Sequence, residues 1–126
     1  MPHFTARPTT YKGIPMRSRL EAHWAAWFDI KGVEWEYEPR AFANERGQYL
    51  PDFLLPPCGL RTCPIYFEVK PTLEAAYAVL PRMEIILESD PGAVLEVAAN
   101  NEAIVLLRMS SDRTWRVLPG VRVGPA

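Results

Sequence analysis

The stretch IYFEVK, residues 65–70, decides how this chain is read. Ile65, Phe67 and Val69 point one way and Tyr66, Glu68 and Lys70 the other, the period-two alternation of a β-strand. Pro64 and Pro71 close it at both ends. Glu68 and Lys70 stand two residues apart, so a strand projects them from one face, about 7 Å apart along the chain. An acid and a lysine so placed form either a plain ion pair or part of a site.

Upstream, QYLPDFLL at 48–55 reads as a second strand, with Pro51 implying an edge position or a local break. A hairpin between 48–55 and 65–70 brings Asp52 beside Glu68, two carboxylates converging at a sheet edge. The intervening PPCGLRTCP is a turn or loop. Before it, AFANERG at 41–47 is a polar loop, and VEWEYE at 33–38 alternates strictly, with Val33, Trp35 and Tyr37 opposite Glu34, Glu36 and Glu38. Residues 18–31 form a helix, with Leu20, Trp24, Trp27 and Phe28 in one apolar stripe and Gly32 as the stop.

Downstream, 72–89 is helical, with Pro81 kinking the helix or starting a second one. Strands follow near 93–98 and 103–108, turning through AANNE, and a last one at 114–118. The order α-β-β-β-α-β-β fits an α/β fold, a mixed sheet with a helix on each face.

Composition narrows the function. The 126 residues fit one domain, which buries roughly two-thirds of the unfolded chain's surface. Two cysteines are too few for a disulfide scaffold, no apolar run approaches a membrane span, and residues 1–13 lack a signal peptide's apolar stretch. A cytoplasmic protein with no membrane partner is expected. The net charge is −1, but residues 1–20 hold Arg7, Lys12, Arg17 and Arg19 and no acid. Residues 1–16 read as a basic N-terminal arm, and 91–126 as C-terminal strands. Arginine supplies 11 of the 14 cations, the residue suited to bidentate phosphate contacts.

Two converging carboxylates make a hard-oxygen site of the kind Mg²⁺ prefers, and a nearby lysine can orient or help deprotonate a coordinated water. Pro51-Asp52, a 15-residue gap and Glu68-Val69-Lys70 resemble the PD-(D/E)XK nuclease superfamily. Arg17-Ser18-Arg19-Leu20-Glu21-Ala22 is similar to its first motif, a glutamate on the first helix. Trp35-Glu36-Tyr37-Glu38-Pro39, Tyr49-Leu50-Pro51-Asp52-Phe53 and Phe67-Glu68-Val69-Lys70-Pro71 look like small stand-alone members of phages and mobile elements, and like end-cleaving transposon nucleases. The resemblance covers residues 11–71 well and rests on the α-β-β element order alone over 72–126.

It implies a restriction-endonuclease-like α-β-β-β-α-β core, a mixed central sheet flanked by helices. It further implies a metal-dependent DNA endonuclease with catalytic Glu21, Asp52, Glu68 and Lys70. Asp52, Glu68, the Val69 carbonyl and Glu21 would bind Mg²⁺, with Mn²⁺ substituting, and Lys70 would position or activate the attacking water. The implied partner is DNA, with a homodimer or a larger DNA-processing complex supplying specificity. The alternative is a catalytically silent or partner-dependent DNA-binding subunit of a transposition or recombination complex.

Plainer readings stand beside these. Ser18 and Glu21 match a helix capping box, and Asp52 after proline suits a turn. Arg17 and Arg19 are candidates to hold a phosphate near the metal, and Arg40, Arg46 and Lys12 to track a DNA backbone; surface solubility is the alternative for each. The aromatic residues of 24–35 suit core packing better than base stacking. Cys58 and Cys63 read as free thiols, and His23 as a helix-surface residue.

Overall fold

The computed structural model describes residues 8–100, 104–109 and 112–118. Its first half contains β1 (Thr9–Tyr11), β2 (Ile14–Met16), α1 (Arg19–Ile30), β3 (Glu36–Tyr37), β4 (Phe42–Asn44), β5 (Gly47–Tyr49) and β6 (Phe53–Leu55). Its second half contains β7 (Ile65–Lys70), α2 (Leu73–Met83), α3 (Ile86–Ser89), β8 (Val94–Asn100), β9 (Ile104–Met109) and β10 (Trp115–Val117).

The strand 65–70 is present with its predicted bounds and lies inside a six-stranded mixed sheet of order β10-β9-β8-β7-β6-β3. It pairs antiparallel with β6, Phe53 opposite Phe67, and parallel with β8, from Ile65 opposite Val94 to Lys70 opposite Ala99. The parallel pair requires a crossover, which α2 and α3 supply. Helices cover both faces, so β7 and β8 are buried on both sides. On one face Trp24, Ala25 and Phe28 of α1 pack against Phe53, Phe67, Val69, Ala98 and Leu106. The Phe28 ring meets Phe53 and Phe67 edge-on at centroid distances of 5.4 and 5.3 Å. On the other face Val79, Leu80, Met83 and Ile86 pack against Tyr66, Leu95, Val97 and Leu107. The fold is thus mixed α/β with a mixed central sheet. Among the described residues no helix is long and apolar enough to cross a membrane.

Several expectations about elements change. The stretch 48–55 is two strands, because Pro51 breaks it. Gly47–Tyr49 pairs with Phe42–Asn44 in a separate two-stranded sheet, and only Phe53–Leu55 joins the main one. The polar loop 41–47 is therefore largely a hairpin. Its turn closes through the Arg46 N–H donating to Asn44 Oδ1 (2.8 Å), and buried Phe42 fixes it by packing edge-on to Tyr66. The 33–38 strand shortens to Glu36–Tyr37, although Val33, Trp35 and Tyr37 do face the α1-side core.

Pro81 does not start a second helix. It sits in the last turn of α2, and the break falls at Glu84–Ile85 before α3. The basic arm is, from residue 9 on, a β1–β2 hairpin whose turn uses Lys12 and Gly13 at φ 50° and 79°. Arg7 and the rest of 1–7 lie outside the described residues, as do 101–103 of the expected β8–β9 turn. β8, β9 and β10 complete the sheet and give the C-terminal third its role.

Candidate active site

Helix α1 starts where the sequence places it. Ser18 is its N-cap, accepting the Glu21 N–H on Oγ (3.1 Å), and a Schellman arrangement ends it. There the Val33 N–H donates to the Phe28 carbonyl and the Gly32 N–H to the Asp29 carbonyl, with Gly32 at φ 68°. This cap sets Glu21 one turn into α1, facing the sheet. Half of the capping box exists, but the Glu21 carboxylate accepts from the Ser18 hydroxyl (3.2 Å) while also joining a larger cluster.

Asp52 follows the Pro51 break, and Glu68 lies across from it on β7; the Asp52 N–H donates to Glu68 Oε1 (3.2 Å). The convergence expected from a hairpin is present. It lies at the end of two interior strands rather than at a sheet edge, because β3 and β8 flank them. Glu21, Asp52 and Glu68 are only 4%, 2% and 4% exposed. Three carboxylates this deeply buried require satisfaction by hydrogen bonds and countercharge.

The satisfaction follows one scheme. Each carboxylate has one oxygen fastened by uncharged donors. Glu21 Oε1 accepts from Ser18 Oγ and Tyr37 Oη (3.2 Å each), and Asp52 Oδ2 from the Val69 N–H (2.8 Å). Glu68 Oε1 accepts from Tyr49 Oη and the Asp52 N–H. The second oxygen of each faces a cation. Arg17 Nη2 bridges Asp52 Oδ1 (2.6 Å) and Glu21 Oε2 (3.3 Å), and Lys70 Nζ lies 3.2 Å from Glu68 Oε2. Arg17 Nε also meets Glu38 Oε2 at 2.8 Å. As the side chains stand, no three His, Cys, Asp or Glu among the described residues are arranged around an ion. The contacts explain this, since the oxygens left open by uncharged donors are turned to Arg17 and Lys70.

Charge remains unbalanced. If all four acids ionise, Glu21, Glu38, Asp52 and Glu68 set four negative charges against two positive charges on Arg17 and Lys70. Burial, then the Glu68 and Glu21 charges, push the Asp52 carboxyl well above the usual carboxylate range, although the Val69 N–H opposes them. Burial chiefly pushes the Tyr37 phenol up to about 12 and raises that of Tyr49, so both remain proton donors near neutral pH.

Glu21, Asp52, Glu68 and Lys70, all expected at one site, are brought together. The cation candidates scatter. Arg17 is in the cluster, Arg19 is exposed on the first turn of α1, and Lys12 pairs with Asp29 (2.9 Å) on the β1–β2 turn. Arg40 lies over the Phe42 ring (4.3 Å) and Arg46 pairs with Glu88 (2.8 Å), both away from the carboxylate cluster.

Three contributors were not legible as such: Tyr37, Tyr49 and, in its bridging role, Arg17. The sequence marks Tyr37 only as one residue of the apolar face of the 33–38 strand, and the only signal for Tyr49 is its place three residues before Asp52. Glu38 joins through Arg17, and its backbone bends to a strained φ of 45° as its N–H donates to the Asp52 carbonyl (2.8 Å). His23 is exposed, and Cys58 and Cys63 are free thiols, as expected. No family model, curated protein or solved structure matches the chain.

Proposed function

We propose that this chain is a metal-dependent DNA endonuclease with a PD-(D/E)XK site on a restriction-endonuclease-like core. The observation that carries the reading is the arrangement of the three buried carboxylates. Each is oriented through one oxygen, and together with Glu38 they leave, when all are ionised, an excess of two negative charges over Arg17 and Lys70 that a single divalent cation balances. The donor set is all oxygen, which suits Mg²⁺, and Mn²⁺ by substitution. Asp52, Glu68 and the Val69 carbonyl would hold the ion, with Glu21 as a further ligand or as the holder of a coordinated water.

When bound, a divalent cation supplies charge neutralisation at the phosphate and a more acidic water. The rest belongs to the chain. Tyr49 and Tyr37 lock the carboxylate orientations, and the short β6–β7 pairing fixes Asp52 against Glu68. Lys70, bonded to Glu68, would orient the attacking water and stabilise the charge that develops on it. No covalent intermediate is needed.

The test is cleavage of supercoiled plasmid and a branched-DNA panel in Mg²⁺, Mn²⁺ or EDTA. Folded Lys70→Ala and Asp52→Asn variants should each lose at least about a hundredfold in rate. Nicking by wild type that persists in EDTA, or in both variants, rules the reading out. DNA binding without cleavage shifts it to a silent or partner-dependent subunit.

A further inference from the structure

Arg17 holds a position that the proposed reaction cannot leave unchanged. Its Nη2 contacts one oxygen each of Asp52 and Glu21, the oxygens that the uncharged donors leave open. A divalent ion and a guanidinium cannot both occupy that space at full charge. The Arg17 backbone is nevertheless fixed. Its N–H donates to Tyr37 Oη (3.0 Å), Met16 ends β2 just before it, and Ser18 caps α1 just after it. The side chain, by contrast, is 60% exposed. Its anchor is pinned while its head reaches solvent, the combination needed for a side chain to swing without disturbing the fold.

We infer that Arg17 is an exchangeable countercharge. Without a metal it neutralises part of the acid cluster. On metal binding it releases Asp52 and Glu21 and turns outward to a phosphate of the DNA lying over the site, with Glu38 as its resting partner on Nε. The exchange couples metal loading to substrate capture, because the guanidinium becomes available to phosphate only once the cation has taken its place. Its planar fork suits both partners, carboxylate and phosphate. The inference rests on the metal-dependent reading above.

Calorimetric titration of Mn²⁺ into DNA-free protein tests the first half, on wild type, Arg17→Gln and Arg17→Lys. Removing a unit charge beside the ion should tighten Mn²⁺ binding by about tenfold in Arg17→Gln, while Arg17→Lys stays near wild type. Melting each variant with and without Mn²⁺ guards against misfolding. Arg17→Gln should melt lower than wild type in EDTA and gain more from the ion. Duplex binding by anisotropy in Ca²⁺ tests the second half. Arg17→Gln should weaken it several-fold and make the log–log salt dependence shallower by about one unit. Unchanged or weaker Mn²⁺ affinity in Arg17→Gln, or an unchanged salt slope, overturns the exchange and leaves the nuclease reading standing. No Mn²⁺ binding by any of the three proteins overturns both.

Discussion

At the scale of residues, orientation of the carboxylates depends on groups that carry no charge. Tyr49 Oη and the Asp52 N–H together hold Glu68 Oε1, and of these only the tyrosine can be removed without touching the backbone. Tyr49→Phe keeps the ring in the core but leaves a buried carboxylate oxygen with a single donor. Stability should fall by about 1–2 kcal/mol in urea unfolding. On the proposed metal-dependent reading, groups that orient a metal-binding carboxylate matter by about 10–100-fold, so single-turnover cleavage should drop within that range while the fold persists. An unchanged rate would show that Glu68 is positioned by the strand alone. The four polar residues of the site were legible because each lies at a local signal: a cap, a Pro-Asp pair, an acid and a lysine on one strand face. Tyr49 was not, because its role exists only once β5 has been turned aside from β6 and its hydroxyl meets a residue 19 positions away.

At the scale of elements, short strands depend on side-chain ties, and the clearest tie is Asp29 in the last turn of α1. Its carboxylate accepts from Tyr11 Oη of β1 (2.6 Å) and from Trp35 Nε1 (2.9 Å), and pairs with Lys12 (2.9 Å). One side chain thus joins the N-terminal hairpin and the approach to β3 to the helix that carries Glu21. The same contacts hold Lys12 of the basic N-terminal segment at the tight turn of a hairpin, paired with Asp29. Asp29→Ala should free that hairpin, raising hydrogen exchange in β1 and β2 while β7 and β8 stay protected, at a cost of about 1–3 kcal/mol. The Tyr11 and Trp35 hydrogen bonds, then Lys12, lower the Asp29 carboxyl to about 2. A depressed carboxyl contributes stability above its unfolded value that is lost as the pH falls through the folded one. Acid should therefore unlatch the hairpin between about pH 4 and pH 2, and Asp29→Ala should remove that step from the exchange profile. Long, well-bounded elements such as α1 and β7 were readable because periodicity and proline punctuate them. The 41–47 hairpin was not, since its strands are three residues each and only Phe42 and Tyr49 of them are buried.

At the scale of the whole molecule, the sheet buries acids on both faces of its centre, and this sets an unusual slope of stability with pH. Asp52 is raised by burial and by its acidic neighbours, and Glu96 by burial that the Arg108 pairing only partly offsets. Both are buried on or beside interior strands, whereas the lowered carboxyls of Asp29, Glu88 and Asp112 belong to ion pairs at or near the surface. A carboxyl whose folded value is raised binds its proton more tightly in the native state. Its favourable contribution is complete below the unfolded value and disappears as the pH rises through the folded one. Metal-free protein should therefore lose stability as the pH rises above the ordinary carboxylate range, a window above that in which Asp29 titrates. In EDTA, Asp52→Asn should flatten that slope and leave only the Glu96 share. Saturating Mn²⁺ at neutral pH should restore what ionisation removes, contributing about 2.7 kcal/mol at a hundred times its dissociation constant, and should do so in wild type but not in Asp52→Asn. Urea midpoints across that pH range, with EDTA or Mn²⁺, read all three. Stability that climbs steadily with pH in EDTA would mean that Arg17 and Lys70 already balance the cluster, and the charge excess from which the metal site is argued would lose its energetic meaning.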